Sequence, residues 1–240
     1  MSKISQALYQ RARKVIPGGV TRPFRFLDPY PFYGEKAHGS KLVDLEDNVY
    51  TDYWMAHGAL VLGHMHPSTV KATKEQIDLG FHWGICNEWE VKLAEQVTKL
   101  FPSVKLITFN VSGNEANMHA MKLARACTKR DKIAKFEGHF HGSLESLYVG
   151  YDFPSNEPAS AGHDPLSAKN TVVLPFRDAD AAHKAIRKKQ LACVILEIVT
   201  SGTCVPEEKE FDRISKTKSE QTLLGHETHA SDRLSRIDTS

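Results

Sequence analysis

At 240 residues the chain can bury a substantial core, as one large domain or one and a half ordinary ones. An apolar fraction of 41%, a charged fraction of 25% and a net charge of +2 are those of an ordinary soluble globular protein. They give no reason to expect nucleic acid or an anionic membrane as partner, and no stretch approaches the ~20 apolar residues of a spanning helix.

The N-terminus has Lys3, Arg11, Arg13 and Lys14 but no apolar h-region, so nothing points to export. Cys86, Cys127, Cys193 and Cys204 are scattered without metal-ligand spacing and read as reduced thiols of a cytoplasmic protein. Ser5 to Val15 reads as an amphipathic helix with Leu8, Ala12 and Val15 inward, stopped by Pro17-Gly18-Gly19. In the loop that follows, Thr21-Arg-Pro-Phe-Arg-Phe26 sets two guanidinium groups among aromatics. There an arginine can grip a carboxylate bidentately or simply cover a phenylalanine.

Leu42 to Leu45 and Val49 to Tyr53, around Glu46-Asp47-Asn48, read as a β-hairpin. Trp54 to Pro67 is a loop rich in Gly and His, and two helices follow, Pro67 to Leu79 and Glu88 to Leu100. Leu106 to Val111 is short and rich in branched and aromatic residues, as a buried strand is. Ala116, Ala120, Leu123, Ala124 and Cys127 then fall on one helical stripe.

Ser112, three residues before Glu115, forms a capping-box pattern at the start of that helix. Gly113 lets the backbone approach a ligand closely and Asn114 adds a side-chain amide. Free amides at a helix start suit a phosphate, although a plain strand-to-helix turn has the same pattern. Lys132 to Phe136 reads as another strand, followed by the glycine-punctuated turn Glu137-Gly-His-Phe-His-Gly142. Two such turns at neighbouring strand ends face one crevice in a parallel sheet.

Asp152 to Asn170 reads as a long surface loop that serves as a flap. Thr171 to Leu174 and Cys193 to Val199 read as buried strands flanking a helix from Asp178 to Lys189. The alternation gives an α/β fold with a mostly parallel sheet and helices on both faces. Asp212 to Ser240 is polar and without period, and is expected to be disordered.

Six motifs in order then carry a resemblance: Ile16-Pro-Gly-Gly-Val20 with Pro23 and Arg25; Asp44-Leu-Glu-Asp-Asn48 with Tyr53; Leu62-Gly-His-Met-His-Pro67; Ser112-Gly-Asn-Glu-Ala116 with Lys122 to Arg125; Phe136 to Gly142; and Val194-Ile-Leu-Glu197. Met1 to about Phe211 resembles the first half of the class III (fold type I) aminotransferases, nearest to the glutamate-1-semialdehyde 2,1-aminomutase branch. The resemblance implies pyridoxal 5'-phosphate as cofactor, amino-acid or amino/oxo-acid substrates, and a homodimer. It divides the chain into an N-terminal helix, loop and hairpin segment (1–55), an incomplete cofactor-binding large domain (56–211) and a non-family tail (212–240).

The same resemblance assigns roles. Ser112, Gly113 and Asn114 match the phosphate-holding turn, with Asn114 where the family usually has Ser or Thr. Phe140 matches the residue that stacks on the pyridine ring, and His141 belongs to its motif. Glu197 matches a glutamate near cofactor and substrate. Arg25 matches the arginine that grips the substrate carboxylate, and Ala56-His57 stands where the aminomutase branch has Ser-Trp, which puts His57 in the substrate pocket. The family's cofactor-bearing lysine and the aspartate that protonates the ring nitrogen have no match in this chain. The expectation is a truncated or frame-shifted member that is inactive alone, or a non-catalytic or partner-binding remnant. A metal-dependent hydrolase built on the pairs His64/His66 and His139/His141 is the alternative from another class, but neither pair has an acidic residue at ligand spacing.

Overall fold

The computed structural model describes residues 3–151, 160–176, 178–188, 190–197 and 222–225. The chain falls into two compact units, Met1–Ile85 and Cys86–Ser240.

In the first unit α1 (Lys3–Ala12) is shorter than the sequence pattern suggests. Arg13 to Ile16 continue only as turns, and Val15, expected inward, is exposed. The backbone N–H and hydroxyl of Ser5 donate to the Glu46 carboxylate at 2.8 and 3.0 Å, which ties α1 to the hairpin turn. The expected hairpin forms as β2 (Lys41–Asp44) and β3 (Val49–Thr51). A strand not anticipated, β1 (Gly34–His38), pairs on the other side of β2, so the antiparallel order is β1-β2-β3. Asp44 shapes the turn: its carboxylate accepts from the backbone of Glu46 and Asn48, the Asn48 amide and the Tyr50 hydroxyl. The helix α2 spans Pro67–Leu79, as its periodicity predicts.

The second unit opens with α3 (Glu88–Leu100), where Asn87 Oδ1 accepts from the amides of Trp89 and Glu90. The elements α4 (Gly113–Thr128), β4 (Lys132–Phe136), α5 (Pro165–Ala168), β5 (Thr171–Leu174), α6 (Ala179–Lys188), β6 (Leu191–Leu196) and β7 (Thr222–Gly225) follow. The four strands run parallel in the order β5-β4-β6-β7. Residues alternate between two faces. Ala134, Phe136, Val194 and Leu196 pack with Ala182 and Ile186 of α6, whereas Ile133, Cys193 and Ile195 pack with Met121 and Ala124 of α4. All of β6 is buried, so it reads in sequence as a continuous apolar run.

Four expectations need correction. Leu106 to Val111 is not a strand: the segment has no ladder partner among the described residues, and Leu106 and Val111 are 89% and 96% exposed. Branched side chains favour an extended backbone but do not supply the neighbouring chain that completes a ladder. The strand expected from Cys193 begins at Leu191 and ends at Leu196, with 198 and 199 outside the described residues. The loop after Asp152 contains α5, and its residues 152–159 are also outside them. In the polar tail, Thr222–Gly225 pairs in parallel with Cys193–Leu196, because a short apolar run suffices when a sheet edge accepts its backbone.

Candidate functional site

Helix α4 begins where the sequence places it. Ser112 has extended backbone and its hydroxyl oxygen accepts from the Glu115 N–H at 3.2 Å. The Glu115 carboxylate reaches back one residue further than a capping box requires, accepting from the Val111 N–H at 2.9 Å. The N–H groups of Gly113 and Asn114 lie in the first turn, where no carbonyl of the helix can reach them.

The turn after β4 is fastened to this helix start. Asn114 Oδ1 accepts from the Ser143 N–H at 2.8 Å, and the Asn117 amide donates to the His141 carbonyl at 2.9 Å. Gly142 has a φ of +97°, and a Cβ there would lie 2.4 Å from Asn114 Oδ1, so the close approach requires glycine. With its oxygen engaged, Asn114 keeps its amide NH₂ as a donor beside two helix-start amides. Such a set can hold a phosphate.

Within the turn the side chains part company. His139 and His141 are buried, at 3% and 0% exposed, whereas Phe140 between them is 39% exposed with its ring edge-on to Tyr151 at 5.4 Å. Phe140 is thus the residue of the three with surface to offer a planar ligand.

Beneath the turn lies a buried polar cluster that sequence reading missed. Lys135, fully buried, donates from Nζ to the carbonyls of His139 (2.8 Å) and Val149 (2.9 Å). Burial pushes its ammonium down to about 8, against the pull of the Glu197 carboxylate. Glu197 itself is buried, and its backbone N–H donates to His139 Nδ1 at 3.0 Å. The His139 proton therefore sits on Nε2, a buried atom without a partner among the described residues. Burial, and then the charge of Lys135, push the imidazole down to about 4. The position of Lys135 between the apolar Ala134 and Phe136 of β4 is the sequence signal that hints at this arrangement.

The segments that carry Ser112, Gly113, Asn114, Phe140, His141 and Glu197 are thus linked within the second unit, through Asn114 to Ser143, Asn117 to the His141 carbonyl and the Glu197 N–H to His139. Arg25 and His57 belong to the first unit. Arg25 donates to the Thr21 hydroxyl at 2.9 Å and lies 5.9 Å from the centroid of the Phe24 ring, and His57 meets that ring edge-on at 4.8 Å. Among the described residues no group of three or more His, Cys, Asp or Glu is arranged to hold a metal ion. His64 pairs instead with Asp52 at 2.7 Å. No helix among the described residues is long and apolar enough to cross a membrane.

Residues 27–224 match the profile of the family Aminotransferase class-III, which runs past the Phe211 limit read from the motifs. The glutamate-1-semialdehyde 2,1-aminomutase of Methanopyrus kandleri is 41% identical over 216 residues, 88% of this chain and 50% of that protein. An omega-transaminase from Sphaerobacter thermophilus superposes with a TM-score of 0.87 at 32% identity, covering 92% of this chain and 54% of its own. A solved transaminase with PLP bound gives 0.88 at 31% identity, with coverages of 94% and 55%. The chain spans about half the length of the relatives it matches.

Proposed function

Because the chain belongs to the class III aminotransferase family, we propose that it carries the phosphate-holding and ring-stacking side of a pyridoxal 5'-phosphate site for amino-group transfer or the related aminomutase reaction. The observation that supports this most is the fastening of the α4 start to the Phe140 turn through Asn114 and Gly142, which forms a cradle that a Cβ would fill. When bound, the cofactor supplies an electron sink for charge developing at the carbon that bears the amino group.

The chain's own residues bind and orient. The amides of Gly113 and Asn114, the Asn114 NH₂ and the Ser112 hydroxyl donate to the phosphate, aided by the positive end of α4. Phe140 lies against the pyridine ring. Lys135 grips the carbonyl that precedes Phe140 and fixes the turn from below. In the first unit Arg25 takes the substrate carboxylate, and His57 occupies the pocket position that the resemblance assigns to an indole.

As the 240-residue chain it binds the cofactor without turning over amino donors. Lys135, the one lysine with a markedly lowered pKa among the described residues, has its amine engaged by two carbonyls. We place the chain in the cytoplasm as a homodimer, which would cover exposed apolar side chains such as Trp89, Val91 and Leu93 on α3.

Pyridoxamine 5'-phosphate, which cannot condense with a lysine, tests the site. Saturable binding to the purified chain, competed by inorganic phosphate and lost in Asn114→Leu, is expected. Absence of saturable binding overturns the cofactor site, and turnover of an amino donor overturns the inactivity. Light scattering on the same sample reads the mass of the assembly.

A further inference from the structure

The first unit holds a cavity of about 790 Å³ whose wall is apolar except at a few points. Arg25, Asp52 and His64 are the charged or titratable side chains on it apart from Tyr33. Asp52 is fully engaged: Oδ2 meets His64 Nε2 at 2.7 Å, and Oδ1 accepts from the Trp54 and Met55 amides at 2.8 and 2.9 Å. Arg25 is differently placed. Its side chain bonds the Thr21 hydroxyl, and no carboxylate pairs with it among the described residues. The cavity thus presents one cation that lacks a counter-ion, set in an otherwise greasy wall.

The wall beside that cation is aromatic. Phe24 lies 6.3 Å from Trp54, and both rings meet His57 edge-on, at 4.8 and 4.7 Å. The backbone that delivers Trp54 and His57 is held in an unusual shape. Met55, Ala56 and His57 have φ values of 45°, 52° and 61°, three consecutive non-glycine residues in the left-handed region. The Asp52 carboxylate caps the amides leading into this run, and the Gly58 N–H returns to the Trp54 carbonyl at 3.0 Å. Phe24 and Trp54 remain more than half exposed, so their faces are open to a ligand.

We propose that this cavity selects a monocarboxylate with an apolar, ring-bearing body, the carboxylate on Arg25 and the ring against Phe24 and Trp54, so that the substrate class is an amino or oxo acid with an apolar side chain. The inference rests on the reading of Arg25 as the carboxylate grip and adds what the rest of the ligand is. A second carboxylate would find no second unpaired cation on this wall. A body too short to reach the rings would leave them in water.

Calorimetric titration of the full chain with 3-phenylpropionate, propionate and glutarate tests it, beside Arg25→Gln, Arg25→Lys and Trp54→Ala, all at exposed positions and checked for native circular dichroism. The expected result is that 3-phenylpropionate binds at least about tenfold more tightly than either other acid, a margin of ~1.4 kcal/mol. Arg25→Gln abolishes that binding, Arg25→Lys retains part of it, and Trp54→Ala removes the preference for the ring. Glutarate binding as tightly as 3-phenylpropionate, and lost in Arg25→Gln, overturns the apolar class while leaving the grip intact. Binding of 3-phenylpropionate unchanged by Arg25→Gln overturns the grip and the proposal with it, as does failure of all three acids to bind.

Discussion

Replacing Lys135 by Met should change how stability responds to pH. The ammonium sits at about 8 in the folded chain against an ordinary 10.5, a gap worth about 3 kcal/mol at ~1.4 kcal/mol per pH unit. Because the folded value is depressed, the unfolded chain keeps its proton between pH 8 and 10.5 while the folded chain has released it. Stability linked to this group therefore rises with pH across that window and is lost as pH falls through 8. Met removes the cost of burying the charge but leaves the His139 and Val149 carbonyls without their donor, at about 1 to 3 kcal/mol each. At pH 7 the two effects offset to within a few kcal/mol. Urea unfolding followed by circular dichroism at pH 7.5 and 10 measures the difference, since tyrosines and thiols titrate alike in both proteins. The wild type should gain up to about 3 kcal/mol relative to Lys135→Met on going to the higher pH. Equal pH responses of the two proteins would refute the buried-ammonium reasoning.

Gly142→Ala meets both a left-handed φ of +97° and the Asn114 side chain. It should cost about 1 to 3 kcal/mol in urea unfolding and weaken pyridoxamine 5'-phosphate at least about tenfold by titration. His139 is depressed from 6.5 to about 4, so the unfolded chain takes up the proton first; stability present above 6.5 should fall by about 3 kcal/mol by pH 4. His139→Gln should flatten that acid limb in the same assay. Burial pushes the Cys193 thiol up to about 12, with the charge of Arg125 opposing, so native protein at pH 8 should be alkylated at exposed Cys86 and Cys127 but not at Cys193, as read by peptide mass spectrometry. Asn117→Ala removes one tether and no phosphate donor; it should speed amide exchange over Gly113 to Ala116 and weaken pyridoxamine 5'-phosphate a few-fold, the size of one hydrogen bond of ~1 kcal/mol.

Local signals carried much of this architecture. Pro67 at the first turn and Gly80 past the end bound α2, and Asn87 caps α3, and Glu46-Asp47-Asn48 marks the β2–β3 turn because Asp44 and Asn48 bond within five residues of each other. The fully buried strand β6 stands out as an apolar run, and the half-buried β5 as a short branched one, while β4 carries Lys132 and Lys135 among its apolar residues. What escaped depends on partners distant in sequence. Leu106 to Val111 has the composition of a strand without a ladder, and Thr222–Gly225 is a strand because β6 offers it an edge. Glu197, locally a strand-end carboxylate facing water, is buried, and its N–H donates to His139, 58 residues away. Lys135 carries little local signal beyond its apolar neighbours, and its two carbonyl partners, His139 and Val149, account for its burial.

The failure of the Leu106 segment to join the sheet bears on how the anion cradle is held. In an α/β unit the helix start is normally aimed by the strand that precedes it, because the strand is anchored by its ladder. Here that aim comes from the other side. The Glu115 carboxylate draws in the Val111 amide, and Asn114 and Asn117 fasten the first turns of α4 to the Gly138–Ser143 loop. That loop is in turn gripped by Lys135 from β4 and by the bond between Glu197 and His139 at the end of β6. The stiffness of the cradle therefore derives from the middle strands of the sheet, through buried polar contacts. Polar contacts of this kind impose a direction that apolar packing does not, which is a physical reason for a lysine and a histidine to occupy ground that hydrophobic residues would otherwise fill.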